Sequence, residues 1–293
     1  MKKISLISAL FALCACLPVA AQQPASAAGQ PAPVDLETMV QDSRCGQVLV
    51  TCLIGGQPMR MMLDTGATHT VLHKESAARI KEGQWMDTSK MKFRGNSSQR
   101  PEILVSSLQV SEALSPQHPI MVVSLDSVRS MLAEPVDGIL GMDVLGYLPF
   151  TFDLRSGKLY WGVPEGMVLS PLYGTRDENG RMFVQVSCMG HAMELLLDTG
   201  SSITRVYEKD WKPGAAGAVQ ARMGDIDTAA GVQVVQGKPA DLELTPGVVV
   251  KKVEPVFCPE DDRSMLGMDA LQGAVLVHLP AAGMPHGSFF VAK

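Results

Sequence analysis

One short pattern occurs twice in this chain, and it dictates most of what the chain can become. Met62-Leu63-Asp64-Thr65-Gly66-Ala67-Thr68 returns as Leu196-Leu197-Asp198-Thr199-Gly200-Ser201-Ser202. Each copy reads as an apolar strand running into an acidic turn flanked by hydroxyl side chains. A chain that builds the same turn twice can bring two carboxylates to one point. Two carboxylates in contact resist ionising together and share a proton instead. Such a pair offers an acid and a base of the same kind to one water molecule.

The similarity extends outward from both turns. Upstream, Val48-Leu49-Val50-Thr51-Cys52 corresponds to Phe183-Val184-Gln185-Val186-Ser187-Cys188. Each run leads through a glycine turn into the strand that carries the acid. The interval from Gly56 to Asp64 and from Gly190 to Asp198 is eight residues in both, and the first turn is two residues longer. Alternation followed by a short apolar run predicts a hairpin whose second strand enters the core. Downstream, Ile139-Leu140-Gly141-Met142-Asp143-Val144-Leu145 matches Met265-Leu266-Gly267-Met268-Asp269-Ala270-Leu271. A closing hairpin follows in each half: Phe150–Phe152 with Leu159–Trp161, and Val275–Val277 with Phe289–Val291. Strand-like runs between these anchors are Ile103–Val105, Ile120–Val123, Leu242–Leu244 and Val248–Val250. Helical signal is confined to Lys74–Ile80 and Asp143–Leu145. The fold class is therefore mostly β, in two similar lobes.

The chain ends frame this repeat. Met1-Lys2-Lys3, then an apolar run to Ala20, predicts a signal peptide over 1–21, too short for a membrane span. Cleavage is expected after Ala21, with lipidation at Cys16 in Leu13-Cys14-Ala15-Cys16 as the alternative. Residues 22–44 begin with Ala, Pro, Gln, Ser and Gly, which bury too little to order themselves, and read as a flexible linker. The lobes are then 45–163 and 181–293. Residues 164–180, rich in Pro, Gly and the Asp-Glu-Asn-Gly turn, join them. Removing Lys2 and Lys3 takes the formal charge from −5 to −7. With no basic run or face, nucleic acid is not an expected partner. Cys45, Cys52, Cys188 and Cys258 remain after cleavage; export permits disulfides, three pairings are open, and buried free thiols are the other reading.

The doubled Asp-Thr-Gly-Ala/Ser-Thr/Ser, each with its downstream apolar-Leu-Gly, resembles the retropepsin and pepsin class of aspartic proteases. The resemblance spans roughly Gln47 to Ala292 and implies two retropepsin-like β-barrel lobes. It implies catalysis by Asp64 and Asp198, supported by Thr65, Gly66, Thr199, Gly200 and Ser201. In that family each threonine hydroxyl bonds across to the other lobe, and the Leu-Gly strand passes behind the turn. Glycine lets backbone approach the carboxylates closely. Ser201 can hydrogen-bond an outer carboxylate oxygen where Ala67 cannot, so the acids should differ. Implied function is an exported aspartic endopeptidase acting on protein or peptide substrates as a monomer, periplasmic or secreted, with no metal or organic cofactor. Flaps are expected at Phe93–Ser98 and Thr228–Gly231, neither with the tyrosine of pepsin flaps. No basic inhibitory propeptide follows the signal. The competing reading is a non-catalytic binding or scaffolding protein that keeps the fold; a lobe pairing with its copy in another chain is a third.

Other candidates read as structural. Asp143 and Asp269 suit helix N-termini. His69 and His73 are four apart, but without a His-Glu-x-x-His pattern they make no metal site. Met59, Met61 and Met62 read as core. Gly55-Gly56 lacks the Lys-Ser/Thr of a phosphate loop. Asn96-Ser97-Ser98 matches a glycosylation acceptor and carries little weight in a chain with a bacterial-looking signal. No Gly-x-Ser-x-Gly elbow is present.

Overall fold

The structure, a computed structural model, describes residues 33–35, 37–39, 47–87, 101–130, 132, 135–188, 191–207, 210, 222–223, 235–236, 240–253, 256–258, 264–271, 273–281 and 284–292. It is mostly β with two barrel-like lobes, as the repeat and its resemblance imply.

The first half contains β1 (Pro33–Asp35), β2 (Glu37–Met39), β3 (Gln47–Ile54), β4 (Gln57–Leu63), β5 (Val71–His73), β6 (Gln84–Met86), β7 (Glu102–Val110), β8 (Ala113–Val123), β9 (Gly138–Leu140), β10 (Phe150–Asp153) and β11 (Lys158–Tyr160). The second contains β12 (Leu169–Pro171), β13 (Gly174–Arg176), β14 (Met182–Cys188), β15 (His191–Leu197), β16 (Arg205–Tyr207), β17 (Arg222–Met223), β18 (Val235–Gln236), β19 (Ala240–Thr245), β20 (Val248–Val253), β21 (Val256–Cys258), β22 (Met265–Leu266), β23 (Val275–Ala281) and β24 (Met284–Ala292). Among the described residues four single-turn helices punctuate them: α1 (Lys74–Ala77), α2 (Asp126–Arg129), α3 (Met142–Leu145) and α4 (Met268–Leu271).

In the first lobe β3, β4, β9, β5, β8 and β7 pair in succession, and β7 pairs back onto β3, closing a ring. The β3–β4 hairpin turns on Gly55 and Gly56, both with positive φ (54° and 71°), the backbone twist that a two-residue hairpin needs. Alternate residues of β3, from Val48 to Ile54, point into the core, opposite Met59 and Met61 on β4, all buried. The methionines thus fill the barrel interior. In the second lobe β14, β15, β22, β16 and β21 follow the same order, and the sheet stays open among the described residues.

A third sheet joins the lobes. Its order is β1-β11-β10-β23-β24-β12, with the closing hairpin of each lobe side by side at its centre. Phe150, Phe152, His278 and Phe289 stack there, fully buried or nearly so. The outermost strands are informative. Composition predicts a tether over 22–44, yet β1 pairs with β11 and β2 with β3. Residues 164–180 read as a connector, yet β12 pairs with β24 and β13 with β14. Sheet edges present unpaired backbone groups that any extended segment can satisfy. These pairings need no apolar pattern, which is why composition does not reveal them. They also lengthen the repeat: β1 to β4 correspond to β12 to β15.

Cys52 and Cys188 are buried free thiols at corresponding places in the two lobes, and burial pushes the Cys52 thiol up to about 12. Cys45 and the Cys258 side chain lie outside the described residues. So do both expected flaps, Phe93–Ser98 and Thr228–Gly231.

Candidate active site

Both acidic turns are built and held in the same way. β4 and β15 each end one residue before an aspartate. The Asp64 amide donates to the Leu140 carbonyl (3.1 Å), and the Met142 amide to that of Ala67 (2.8 Å). In the second lobe the Asp198 amide donates to Leu266 (3.0 Å) and the Met268 amide to Ser201 (2.8 Å). The apolar-Leu-Gly segment therefore passes behind each turn and pins both sides of it. Only glycine fits where it passes. A Cβ on Gly141 would lie 2.6 Å from the carbonyl carbon of His69, and one on Gly267 2.4 Å from that of Ile203.

The two turns meet across the lobe boundary. The Thr65 hydroxyl donates to the Leu197 carbonyl (2.7 Å) and that of Thr199 to the Leu63 carbonyl (2.9 Å). Each hydroxyl also accepts the other threonine's amide, at 3.2 and 3.1 Å. A hydroxyl is the smallest group that donates and accepts at once. Four buried hydrogen bonds thus fix one turn against the other.

Asp64 and Asp198 are 2 % and 7 % exposed, and their carboxyl groups share a hydrogen bond. In each acid Oδ1 is held by two amides of its own turn. Gly66 and Ala67 donate to Asp64 (2.8 and 2.9 Å), Gly200 and Ser201 to Asp198 (2.9 and 3.0 Å). The glycines are required by the opposite acid: a Cβ on Gly66 would lie 2.7 Å from Asp198 Cγ, and one on Gly200 2.4 Å from Asp64 Oδ2. The Ser201 hydroxyl donates to the Ile203 carbonyl (2.8 Å), so Ser201 serves Asp198 through its amide.

The acids are nevertheless unequal. Burial raises Asp64 well above the usual carboxylate range, and the neighbouring Asp198 charge raises it further. Burial raises Asp198 too, but the Asp64 carboxyl and the Arg205 charge act against it. One proton is shared by such a pair and belongs to the pair rather than to either acid.

Sequence matching residues 50–144 fits the aspartyl protease family. This stretch of the first lobe is similar to a retropepsin-like aspartyl protease domain. The match ends within α3, and the second lobe of the protease-like chain repeats the geometry by its own residues. No curated protein matches the chain.

Around this centre lie residues that the motif alone does not reveal. Thr70 and Thr204 each stand six residues after an acid. The Thr70 hydroxyl donates to Asp143 (2.8 Å) and accepts the Gly141 amide (3.3 Å). That of Thr204 donates to Asp269 (2.6 Å) and accepts the Gly267 amide (3.2 Å). The matching six-residue interval was the signal available for them. Asp143 and Asp269 thus tie the Leu-Gly strand to the loop after each acid, a role beyond charging a helix end. Asp143 has a further partner, His118 Nε2 at 3.1 Å. Burial alone would raise Asp143, but His118 and Thr70 hold it below the usual range; Asp269, without a histidine, is raised by burial. Arg181, 9 % exposed, forks onto Asp177 (2.7 and 2.6 Å) and donates from Nη1 to the Gly66 carbonyl (3.4 Å). It carries a second-lobe cation onto the first-lobe turn, and no sequence pattern marks it.

His69 and His73 have separate partners. His69 Nδ1 lies 2.7 Å from the Thr68 hydroxyl, and His73 Nδ1 accepts the Leu125 amide (3.0 Å). Among the described residues no cluster of three or more His, Cys, Asp or Glu is arranged to hold a metal ion.

Proposed function

We propose that the protein is an exported aspartic endopeptidase that hydrolyses peptide bonds with Asp64 and Asp198. The observation that carries this reading is the contact of two buried carboxyl groups, one from each lobe, held by mirrored hydrogen bonds. In the reaction, a water between the acids loses a proton to the ionised member of the pair while the protonated member donates its proton to the scissile carbonyl oxygen. Water oxygen bonds to the carbonyl carbon, giving a neutral tetrahedral diol with no covalent enzyme adduct. The acid that took the water's proton then passes it to the departing amine, the other regains one from the diol, and the C–N bond breaks. The enzyme's residues suffice for this proton traffic.

Export rests on the signal-like segment 1–21, with a periplasmic or secreted destination and Cys16 as the alternative lipid site. Among the described residues no helix is long and apolar enough to cross a membrane.

The test is peptide-library cleavage by the protein lacking residues 1–21. Cleavage blocked by a statine-containing peptide, a mimic of the tetrahedral state, and lost in both Asp64→Asn and Asp198→Asn supports the proposal. Cleavage surviving in both variants refutes it. Statine-peptide binding without hydrolysis at any pH leaves the scaffolding role in its place.

A further inference from the structure

Arg205 breaks the symmetry between the two lobes beside the acids. It stands seven residues after Asp198, where Val71 stands seven after Asp64. Each opens the short strand after its acidic turn, β16 or β5. Val71 pairs with Ile139, which pairs with Met62, two residues before Asp64. Arg205 pairs with Met265, which pairs with Leu196, two residues before Asp198. Directly paired residues point to the same face of a sheet. Val71 and Arg205 therefore occupy corresponding places flanking the two acids.

Their surroundings differ. In the first lobe this face is a buried apolar cluster, in which Leu125 and Val136 of the 124–137 connection cover Val71, Ala67 and Ile139. In the second lobe the connection between the corresponding strands is shorter, 259–264. Arg205 stays partly exposed there, and its Nε is buried with no hydrogen-bond partner among the described residues. A buried donor left unmade is costly, and an arriving acceptor recovers that cost. The Arg205 charge also acts on Asp198, which places the cation near the reacting pair.

Building on the endopeptidase reading, we propose that Arg205 is a specificity-determining residue that receives the carboxylate of an Asp or Glu side chain of the substrate, close to the scissile bond on the second-lobe side. The planar guanidinium fork matches a carboxylate in a bidentate fashion that lysine cannot copy. The corresponding first-lobe position, Val71, is uncharged and buried, so the charge is confined to the second-lobe side. The substrate class is thus a peptide with an acidic residue on the second-lobe side of the cleaved bond.

The experiment compares kcat/KM for peptide pairs differing only by Glu or Gln, scanned through the positions flanking the cleaved bond. It uses the wild type, Arg205→Met and Arg205→Lys. One position on one side of the bond should favour Glu by about tenfold or more in the wild type, the worth of a charge-assisted hydrogen bond. Arg205→Lys should keep part of that ratio, and Arg205→Met should bring it close to one. The ratio compares two substrates on one enzyme at one pH, so a general change in the acids cancels. A wild-type ratio near one at every position overturns the proposal, whether or not the variants fold, and so does a ratio that survives in Arg205→Met. If no peptide is cleaved, the endopeptidase reading fails by itself. Calorimetric affinities of Glu and Gln forms of a statine-containing peptide then decide on Arg205: a Glu preference lost in Arg205→Met sustains it, and equal affinities overturn it.

Discussion

His278 should make the joint between the lobes sensitive to acid. It lies in β23 at the centre of the shared sheet, 0 % exposed. Phe150 stacks on it at 5.0 Å and Phe289 lies 4.7 Å away. Its Nδ1 lies 2.8 Å from the Leu148 carbonyl. That oxygen can only accept, so Nδ1 carries the proton and Nε2 is the bare nitrogen, which finds no partner among the described residues. Burial lowers the imidazole from 6.5 to about 4, with the Leu148 bond opposing and the Arg176 charge assisting. The folded protein therefore binds fewer protons here than the unfolded chain between those values. The stability concerned is present above pH 6.5 and is lost as pH falls toward 4. The full shift corresponds to about 3 kcal/mol, of which about 2.5 kcal/mol is gone by pH 4.5. His278→Phe removes the titration while leaving the Leu148 carbonyl unpaired, at a cost of about 1–3 kcal/mol at every pH. Urea unfolding of wild type and variant at pH 7.5 and 4.5 measures the difference. The wild-type advantage at pH 7.5 should shrink or reverse at pH 4.5, by about 2.5 kcal/mol. An advantage equal at the two pH values would refute the reasoning, as would an NMR titration of His278 with its midpoint near 6.5 in the folded wild type.

Asp64→Asn should abolish hydrolysis yet raise the unfolding temperature at pH 7. Both acids are raised in the fold, so their protonated form is favoured, and stability falls as pH rises above the unfolded carboxylate value; the gain in the variant should vanish toward pH 4 in thermal melts. Thr65→Val should cost about 2–4 kcal/mol in urea unfolding, because it strands the buried Leu197 carbonyl and Thr199 amide; Thr199→Val should cost a similar amount, and the double variant less than their sum, since each removes bonds within one network. Gly200→Ala should reduce kcat/KM by about a hundredfold or more while circular dichroism stays native-like, because its Cβ must displace the Asp64 carboxylate; activity close to wild type would mean that this carboxylate is not fixed where the turn puts it.

Sequence periodicity and the doubled turn fix the class of the fold, since a barrel strand must alternate or run apolar and a sharp turn needs glycine. Residues 48–54, 57–63, 182–188 and 191–197 can be read as strands for that reason, and the acids can be found because their turn is local and occurs twice. Strands of three residues, such as β1 and β12, leave no such trace. They form because a sheet edge elsewhere in the molecule has backbone groups to satisfy. The mutual hydrogen bonds of Thr65 and Thr199, the placement of Arg181 on the Gly66 carbonyl, and the bond of His278 to the Leu148 carbonyl all join residues more than a hundred positions apart, and no local pattern encodes such a meeting. The chain alone specifies which residues carry hydroxyl, carboxyl and guanidinium groups. Tertiary packing decides which of them lose their water to one another, and with it that two acids come to share a proton.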